Sequence, residues 1–185
     1  MDYLLRLDTS ITSWLSIIVP HTPFADTIFK FLSLQGAAIA IWAVIIALLV
    51  FFEEKKDKKF IIYFAISLSL AYFSSEILKN LILRVRPVNT FPSLLGVCPT
   101  TFAFPSGHAA VSFAAATILS VFDRKRLPFY FIFAVLITFS RIYLQCHYFL
   151  DTVGGAMLGV GVALTVLKVL RLNHVKRSPK HAHRT

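Results

Sequence analysis

Residues 60–87 read FIIYFAISLSLAYFSSEILKNLILRVRP. The first sixteen positions carry no charge, and then Glu76, Lys79, Arg84 and Arg86 crowd into the next eleven. About 20 apolar residues in a helix cross a bilayer, so Phe60–Leu83 predicts a membrane span with a charged end. Charges so close to an apolar span are costly unless paired or wetted, which marks this end for a function. Snorkelling of single Lys or Arg side chains to the headgroups is the bland alternative for any one of them. Pro87 disfavours helical geometry at Arg86, and the helix is predicted to stop near Val85. That stop lets Arg86 turn back toward Lys79. Unbroken helix would hold the two roughly 10 Å apart along its axis. Glu76, three positions before Lys79, falls on the same face and can pair with it.

The rest of the chain repeats the membrane signal. Apolar residues make up 57% of its 185 positions, and mean hydropathy is +0.72. That balance excludes an ordinary soluble domain. Further apolar runs cover Gly36–Phe52, Gly107–Phe122, Leu127–Arg141 and Tyr148–Leu170, with a turn expected over Leu144–His147. Near the start, Leu4, Leu7, Ile11, Trp14, Leu15 and Ile18 recur at helical spacing, with Asp8, Thr12 and Ser16 on the other side. This is the pattern of a helix lying in the membrane interface. Asp2, Arg6 and Asp8 precede the short apolar run Ile11–Val19, which does not read as a removable signal peptide. Pro20 and Pro23 then break the chain. The expected fold is all-α: a membrane bundle of about five transmembrane helices, six being the alternative, plus the N-terminal interfacial helix. Residues 1–172 form the membrane domain, and residues 173–185 form a basic, disordered tail.

Lys and Arg number 19 against 9 Asp and Glu. In a membrane protein this surplus points to topology and anionic headgroups before nucleic acid. Thirteen basic residues, in Glu53–Lys59, Asp123–Arg126 and from Lys168 onward, fall on one side if the spans alternate. The positive-inside rule makes that side and the C-terminus cytoplasmic, so the loops Arg84–Phe104 and Leu144–His147 and the stretch Pro20–Gln35 face outward. His174, His181 and His183 in the tail match no compact metal site. Cys98 and Cys146, too few for a disulfide framework, both fall outside, where an oxidising compartment permits either a bond or two free thiols.

A second polar set lies at the outer ends: Lys79, Arg84, Arg86, His108, Arg141, His147 and Asp151. Pro105-Ser106-Gly107-His108 opens a span, with Ser106 placed as N-cap and Gly107 open to close approach. The free N–H groups and dipole of such a helix start favour an anion. A plain cap accounts for Pro105 and Ser106 but leaves His108 without a reason. In Ser140-Arg141-x5-His147-x3-Asp151, the last two residues sit one helical turn apart on one face. There a carboxylate can accept the Nδ1 proton and leave Nε2 free as a nucleophile. A structural His–Asp pair is the alternative. Arg84 reads as a solvated loop charge.

Taken together, Lys79-x6-Arg86-Pro87, Pro105-Ser106-Gly107-His108 and Ser140-Arg141-x5-His147-x3-Asp151 resemble the three-part signature of the type 2 phosphatidic acid phosphatase superfamily. Every position is filled, with 17 residues between the first two parts and 31 between the last two. The resemblance covers Lys79–Asp151, and residues 1–60 carry no motif. It implies that His147 attacks phosphorus to form a phosphohistidine and that Asp151 orients it. His108 would protonate the leaving oxygen and then activate water. Lys79, Arg86, Arg141, Ser106 and Gly107 would hold the non-bridging oxygens. Phosphoryl transfer depends mostly on positioning and charge stabilisation, which three cations and a helix N-terminus can supply without metal or cofactor. The sequence also lacks the carboxylate cluster of a two-metal phosphatase.

The expected activity is hydrolysis of a lipid phosphate or pyrophosphate on the extracytoplasmic face. Undecaprenyl pyrophosphate is the first choice, with phosphatidic acid and phosphatidylglycerophosphate as further candidates. A lipid phosphotransferase would share the same phosphohistidine. A non-catalytic membrane anion binder would not need both His108 and His147, and haloperoxidase chemistry belongs to soluble relatives. Expected partners are the lipid substrate and membrane lipids, with no nucleic acid. Gly155 and Gly159 could pack helices within one chain or between two.

Overall fold

A computed structural model of the protein describes residues 2–33, 40–45, 47, 58–88, 94 and 98–177, and all regular structure among them is helical. The helices are α1 (Asp2–Ile17), α2 (Pro23–Ser33), α3 (Lys58–Ile82), α4 (Gly107–Phe122), α5 (Leu127–Tyr143) and α6 (Phe149–Arg177), with a 3-10 turn at Arg124–Arg126. Residues 40–45 are helical as well. Among the described residues, three segments are long and apolar enough to cross a membrane, Phe60–Ile82, Arg124–Tyr143 and Phe149–Leu170, and Gly107–Phe122 is a shorter apolar helix. The expected span Gly36–Phe52 lies largely outside the described residues.

Helix α4 is the centre of the bundle, packed by α3, α5 and α6. Its small side chains explain this place. Ala109, Ala110, Ala114, Ala115 and Ala116 are all fully buried and let neighbouring backbones come close. Gly155 and Gly159 of α6 complete the contact. A Cβ on Gly155 would run into the Ser106 carbonyl oxygen, and one on Gly159 into that of Ala110. The small-residue pair therefore works within the chain. Trp42 packs into the same core and donates its indole N–H to Ser112 Oγ of α4 at 3.2 Å. Outward, Ile62, Phe73, Ile77, Ile132, Met157 and Leu164 are exposed, an apolar girdle suited to lipid.

Several expectations are corrected. Helix α3 stops at Ile82, not near Val85. Leu83 adopts φ 55° and donates its N–H to the Lys79 carbonyl at 3.0 Å, closing the helix in a left-handed residue ahead of the proline's influence. The stretch after Pro20 contains α2, which Pro23 begins rather than breaks. Thr22 Oγ1 accepts the Ala25 N–H at 3.2 Å, Pro23 fits the first helical position, and Asp26 lies in the first turn. Helix α6 continues through Arg177, and residues 178–185 lie outside the described set. Helix α1 forms as expected, but its polar stripe of Asp8, Thr12 and Ser16 is buried against the protein while Leu4, Trp14 and Ile17 are exposed.

Candidate active site

The end of α3, the start of α4, the α5–α6 turn and the helices α1 and α2 meet at one end of the bundle. The 3-10 turn Arg124–Arg126 and the start of α3 lie at the other. The α5–α6 turn is made without glycine. Gln145 takes φ 53°, and the Arg141 carbonyl accepts from both Cys146 N (2.9 Å) and His147 N (3.2 Å). His147 therefore sits in the turn, just before α6 rather than on it. Asp151 is in the first turn of α6 and folds back so that Oδ2 accepts the Tyr148 N–H at 2.8 Å. This is one arm of a capping box. It leaves Asp151 Oδ2 3.6 Å from His147 Nδ1, too long for a hydrogen bond but on the correct side of the ring.

At the ring's other nitrogen, the Arg86 guanidinium lies 3.0 Å from His147 Nε2. An arginine cannot accept, so Nε2 carries the lone pair and Nδ1 the proton. Nδ1 has no hydrogen-bond partner among the described residues. Arg86 is itself held tightly. Its Nε donates to the Thr101 carbonyl (2.6 Å), Nη1 to the Cys146 carbonyl (2.7 Å) and Nη2 to the Phe102 carbonyl (3.0 Å). Cys98 and Cys146 are joined in a disulfide with Cα atoms 5.2 Å apart, which ties the loop carrying Thr101 and Phe102 to the His147 turn.

Ser106 caps α4, its Oγ accepting from Ala109 N at 3.5 Å, and its own N–H donates to the Asp151 carbonyl at 2.9 Å. This last bond locks the starts of α4 and α6 together. Gly107 faces the end of α3, where a Cβ would lie 3.5 Å from Lys79 Nζ. Lys79 is buried and pairs with Glu76 at 2.5 Å, as its spacing suggested. Arg141 is buried, donates Nη1 to the Ser33 carbonyl at 2.9 Å, and leaves Nε without a partner among the described residues. Burial holds the His147 imidazole well below its ordinary value, reinforced by Arg141, Arg86, His108 and Lys79. A buried ring facing four cationic or ionisable groups is neutral at neutral pH, and so has a lone pair to give.

The eight residues singled out in the sequence thus converge on one end of one bundle. A family model described as the PAP2 superfamily matches residues 60–174, well over half the chain. The chain belongs to that superfamily. It is 33% identical over 150 residues to the undecaprenyl-diphosphatase of Sulfolobus acidocaldarius, covering 80% of this chain and 71% of that protein. It is 37% identical over 97 residues to phosphatidylglycerophosphatase B of Bacillus subtilis, covering 46% of each. In structure it resembles LpxE of Aquifex aeolicus, with a TM-score of 0.71 at 24% identity over 88% of this chain and 95% of that one. This PAP2 protein is an integral membrane protein and a phosphatase.

Two residues of this PAP2 site were missed. Arg84 is not a solvated loop charge. Its side chain is mostly buried, and its fork donates Nη1 to Asp151 Oδ1 at 2.6 Å and Nη2 to Asp8 Oδ2 at 2.5 Å. Its guanidinium carbon lies 4.3 Å from the centroid of the Tyr148 ring. Asp8, on the polar side of α1, is fully buried as the second partner. The available signal was that Asp8 is the one acid in a narrow stripe with two hydroxyls, Thr12 and Ser16. Such a stripe caps and pairs more readily than it solvates.

Proposed function

We propose that the protein hydrolyses a lipid phosphate or pyrophosphate at the extracytoplasmic face through a phosphohistidine on His147, with undecaprenyl pyrophosphate as the preferred substrate. The observation that carries this reading is the state of His147: buried, neutral, its Nε2 lone pair held at Arg86 and its Nδ1 turned toward Asp151. In the first step Nε2 forms a bond to phosphorus as the bond to the leaving oxygen breaks. His108 gives that oxygen its proton. The charge gained by the His147 ring is offset by Asp151 across the Nδ1 contact, which shortens as the ring becomes cationic. Lys79, Arg86, Arg141 and the α4 start around Ser106 and Gly107 take the non-bridging oxygens, whose charge is spread in the transition state. In the second step His108 takes a proton from water, which attacks phosphorus and releases His147 and phosphate.

The undecaprenyl reading draws on the Sulfolobus relative, an undecaprenyl-diphosphatase covered over most of its length. The outward face is supported by the thirteen basic residues that the sequence sets apart from the site if the spans alternate. The test is phosphate release from a panel of undecaprenyl pyrophosphate, phosphatidic acid and phosphatidylglycerophosphate in detergent, with chelator present and no added acceptor. Fastest release from the pyrophosphate supports the reading. Release only on addition of an alcohol acceptor would make the protein a phosphotransferase. A reporter fused after Thr185 should behave as cytoplasmic and a tag at Pro92 should be reachable from outside. Reversal of both would overturn the assigned face.

A further inference from the structure

The carboxylate behind His147 is held in place by residues from two other segments of the chain. Asp151 Oδ1 is taken by Arg84, and the second arm of the same guanidinium is taken by Asp8. Both carboxylates are fully buried. Asp8 Oδ1 accepts the Leu150 N–H at 2.9 Å, and Thr12 Oγ1, one turn on, accepts the Phe149 N–H at 2.9 Å. These are the first free backbone donors of α6, which helices must satisfy from outside. Helix α1 therefore caps the helix that carries Asp151, while its opposite face, with Leu4, Trp14 and Ile17, is bare.

The charges give this arrangement a purpose beyond capping. The groups facing His147 are Lys79 from α3, Arg86 from the segment after it, His108 from α4, Arg141 from α5 and Asp151 from α6, with Arg84 and Asp8 behind. An Asp151–Arg84 pair alone would be neutral and would offer little to a cationic ring. Two carboxylates sharing one guanidinium leave a net negative charge, placed behind the ring that must become positive on attack. The planar guanidinium gives one N–H to each carboxylate and so bridges the two at a fixed separation, which a lysine's single ammonium could not.

We propose that Asp8 and Arg84 are positioning residues for the reaction: Asp8 holds Arg84, Arg84 holds Asp151, and the three-member chain sets the orientation and net charge of the carboxylate that supports His147. The proposal rests on the phosphohistidine reading above for its catalytic meaning, but its electrostatic content does not need turnover to be measured. Helix α1, whose opposite face is exposed, thereby becomes part of the catalytic apparatus.

The test compares the full-length protein in detergent with Asp8→Asn, Asp8→Glu, Arg84→Gln and Thr12→Val. Asn keeps the shape and the acceptor for Leu150 N–H while removing the charge, and Thr12→Val removes a cap but no charge. The first readout is the titration of His147 by NMR of ring-labelled histidine, assigned with a His147→Gln control. Loss of an anion disfavours imidazolium, so Asp8→Asn should move this titration to lower pH by about half a unit or more, and Arg84→Gln should move it to higher pH. Thr12→Val should lower the melting temperature and leave the titration in place. The second readout is phosphate release. Asp8→Asn should lose on the order of tenfold to a hundredfold in kcat with KM nearly unchanged, as supporting-residue losses do, and Asp8→Glu should recover part of it. If Asp8→Asn does not fold, the direction of the Arg84→Gln shift decides. Titrations unmoved in both variants, or moved alike by Thr12→Val, would reduce α1 to a structural cap and overturn the proposal. Absence of phosphate release from the wild type, with the opposed NMR shifts intact, would instead count against the functional reading alone.

Discussion

Removing the Cys98–Cys146 bond probes both the stability of the site and its chemistry. The bond closes a loop over a sequence separation of 48 residues. In the chain-entropy picture, a loop of that size costs the unfolded chain about 14 cal/mol/K, or about 4 kcal/mol at 25 °C. For a chain of this length that converts to a fall in Tm of roughly 10 °C. The loss should also reach Arg86, because the tethered loop supplies the Thr101 and Phe102 carbonyls that hold it and Cys146 supplies a third. The double variant Cys98→Ser, Cys146→Ser should therefore melt lower in detergent and show a KM raised about fivefold, the weight of one net hydrogen bond. The assays are a thermal melt with and without reductant and phosphate release at varied substrate. Thiols of the denatured wild type should label only after reduction. Labelling that is equal with and without reductant would remove the bond itself. An unchanged Tm in protein shown to be fully reduced would refute the entropic reasoning.

Three further outcomes follow from the packing and the electrostatics. Gly159→Val should cost about 1–3 kcal/mol by overpacking, since even a Cβ there collides with the Ala110 backbone. Misfolding or a sharply lower Tm is expected, and a melt equal to wild type would contradict the tight α4–α6 contact. His108→Gln should reduce turnover of a natural lipid by about 10²–10⁴-fold, while phosphoenzyme still forms from a substrate with an activated leaving group. Equal loss of both would remove its role as proton donor. Because the folded imidazole of His147 titrates well below its ordinary value, nucleophile should be lost only as pH falls through that lowered value. Phosphoenzyme formation from an activated substrate should thus persist below pH 6.5 (roughly the free imidazole value), and a loss centred at the free value would contradict the buried, cation-flanked ring.

The residues that converge at the end of the bundle were legible in the sequence because they are set by residue type and short spacing. Lys79, Arg86, Ser106, Gly107, His108, Arg141, His147 and Asp151 sit in three short clusters, each at the end of an apolar run. What lay behind them was not legible. Arg84 finds its partners 67 and 76 residues away, so no local pattern announces them. Asp8 reads only as lying on the polar side of α1, because amphipathic periodicity separates two sides of a helix without saying which side meets protein. The rule that apolar residues go inside inverts when the surroundings are lipid, and α1 inverts with it. Helix α2 was hidden by reading Pro23 as a breaker, although Thr22, Pro23 and Asp26 together form a helix start. The early end of α3 depends on the left-handed backbone at Leu83, a conformation that no leucine signals in advance.

The most direct test of the central claim is to trap and map the phosphoryl group. Wild-type protein is mixed with radiolabelled lipid phosphate in the presence of chelator, quenched in alkali and digested. The label should be acid-labile, alkali-stable and confined to the peptide containing His147, and His147→Gln should carry none. Label found on the His108 peptide, or turnover that continues in His147→Gln, would contradict the account.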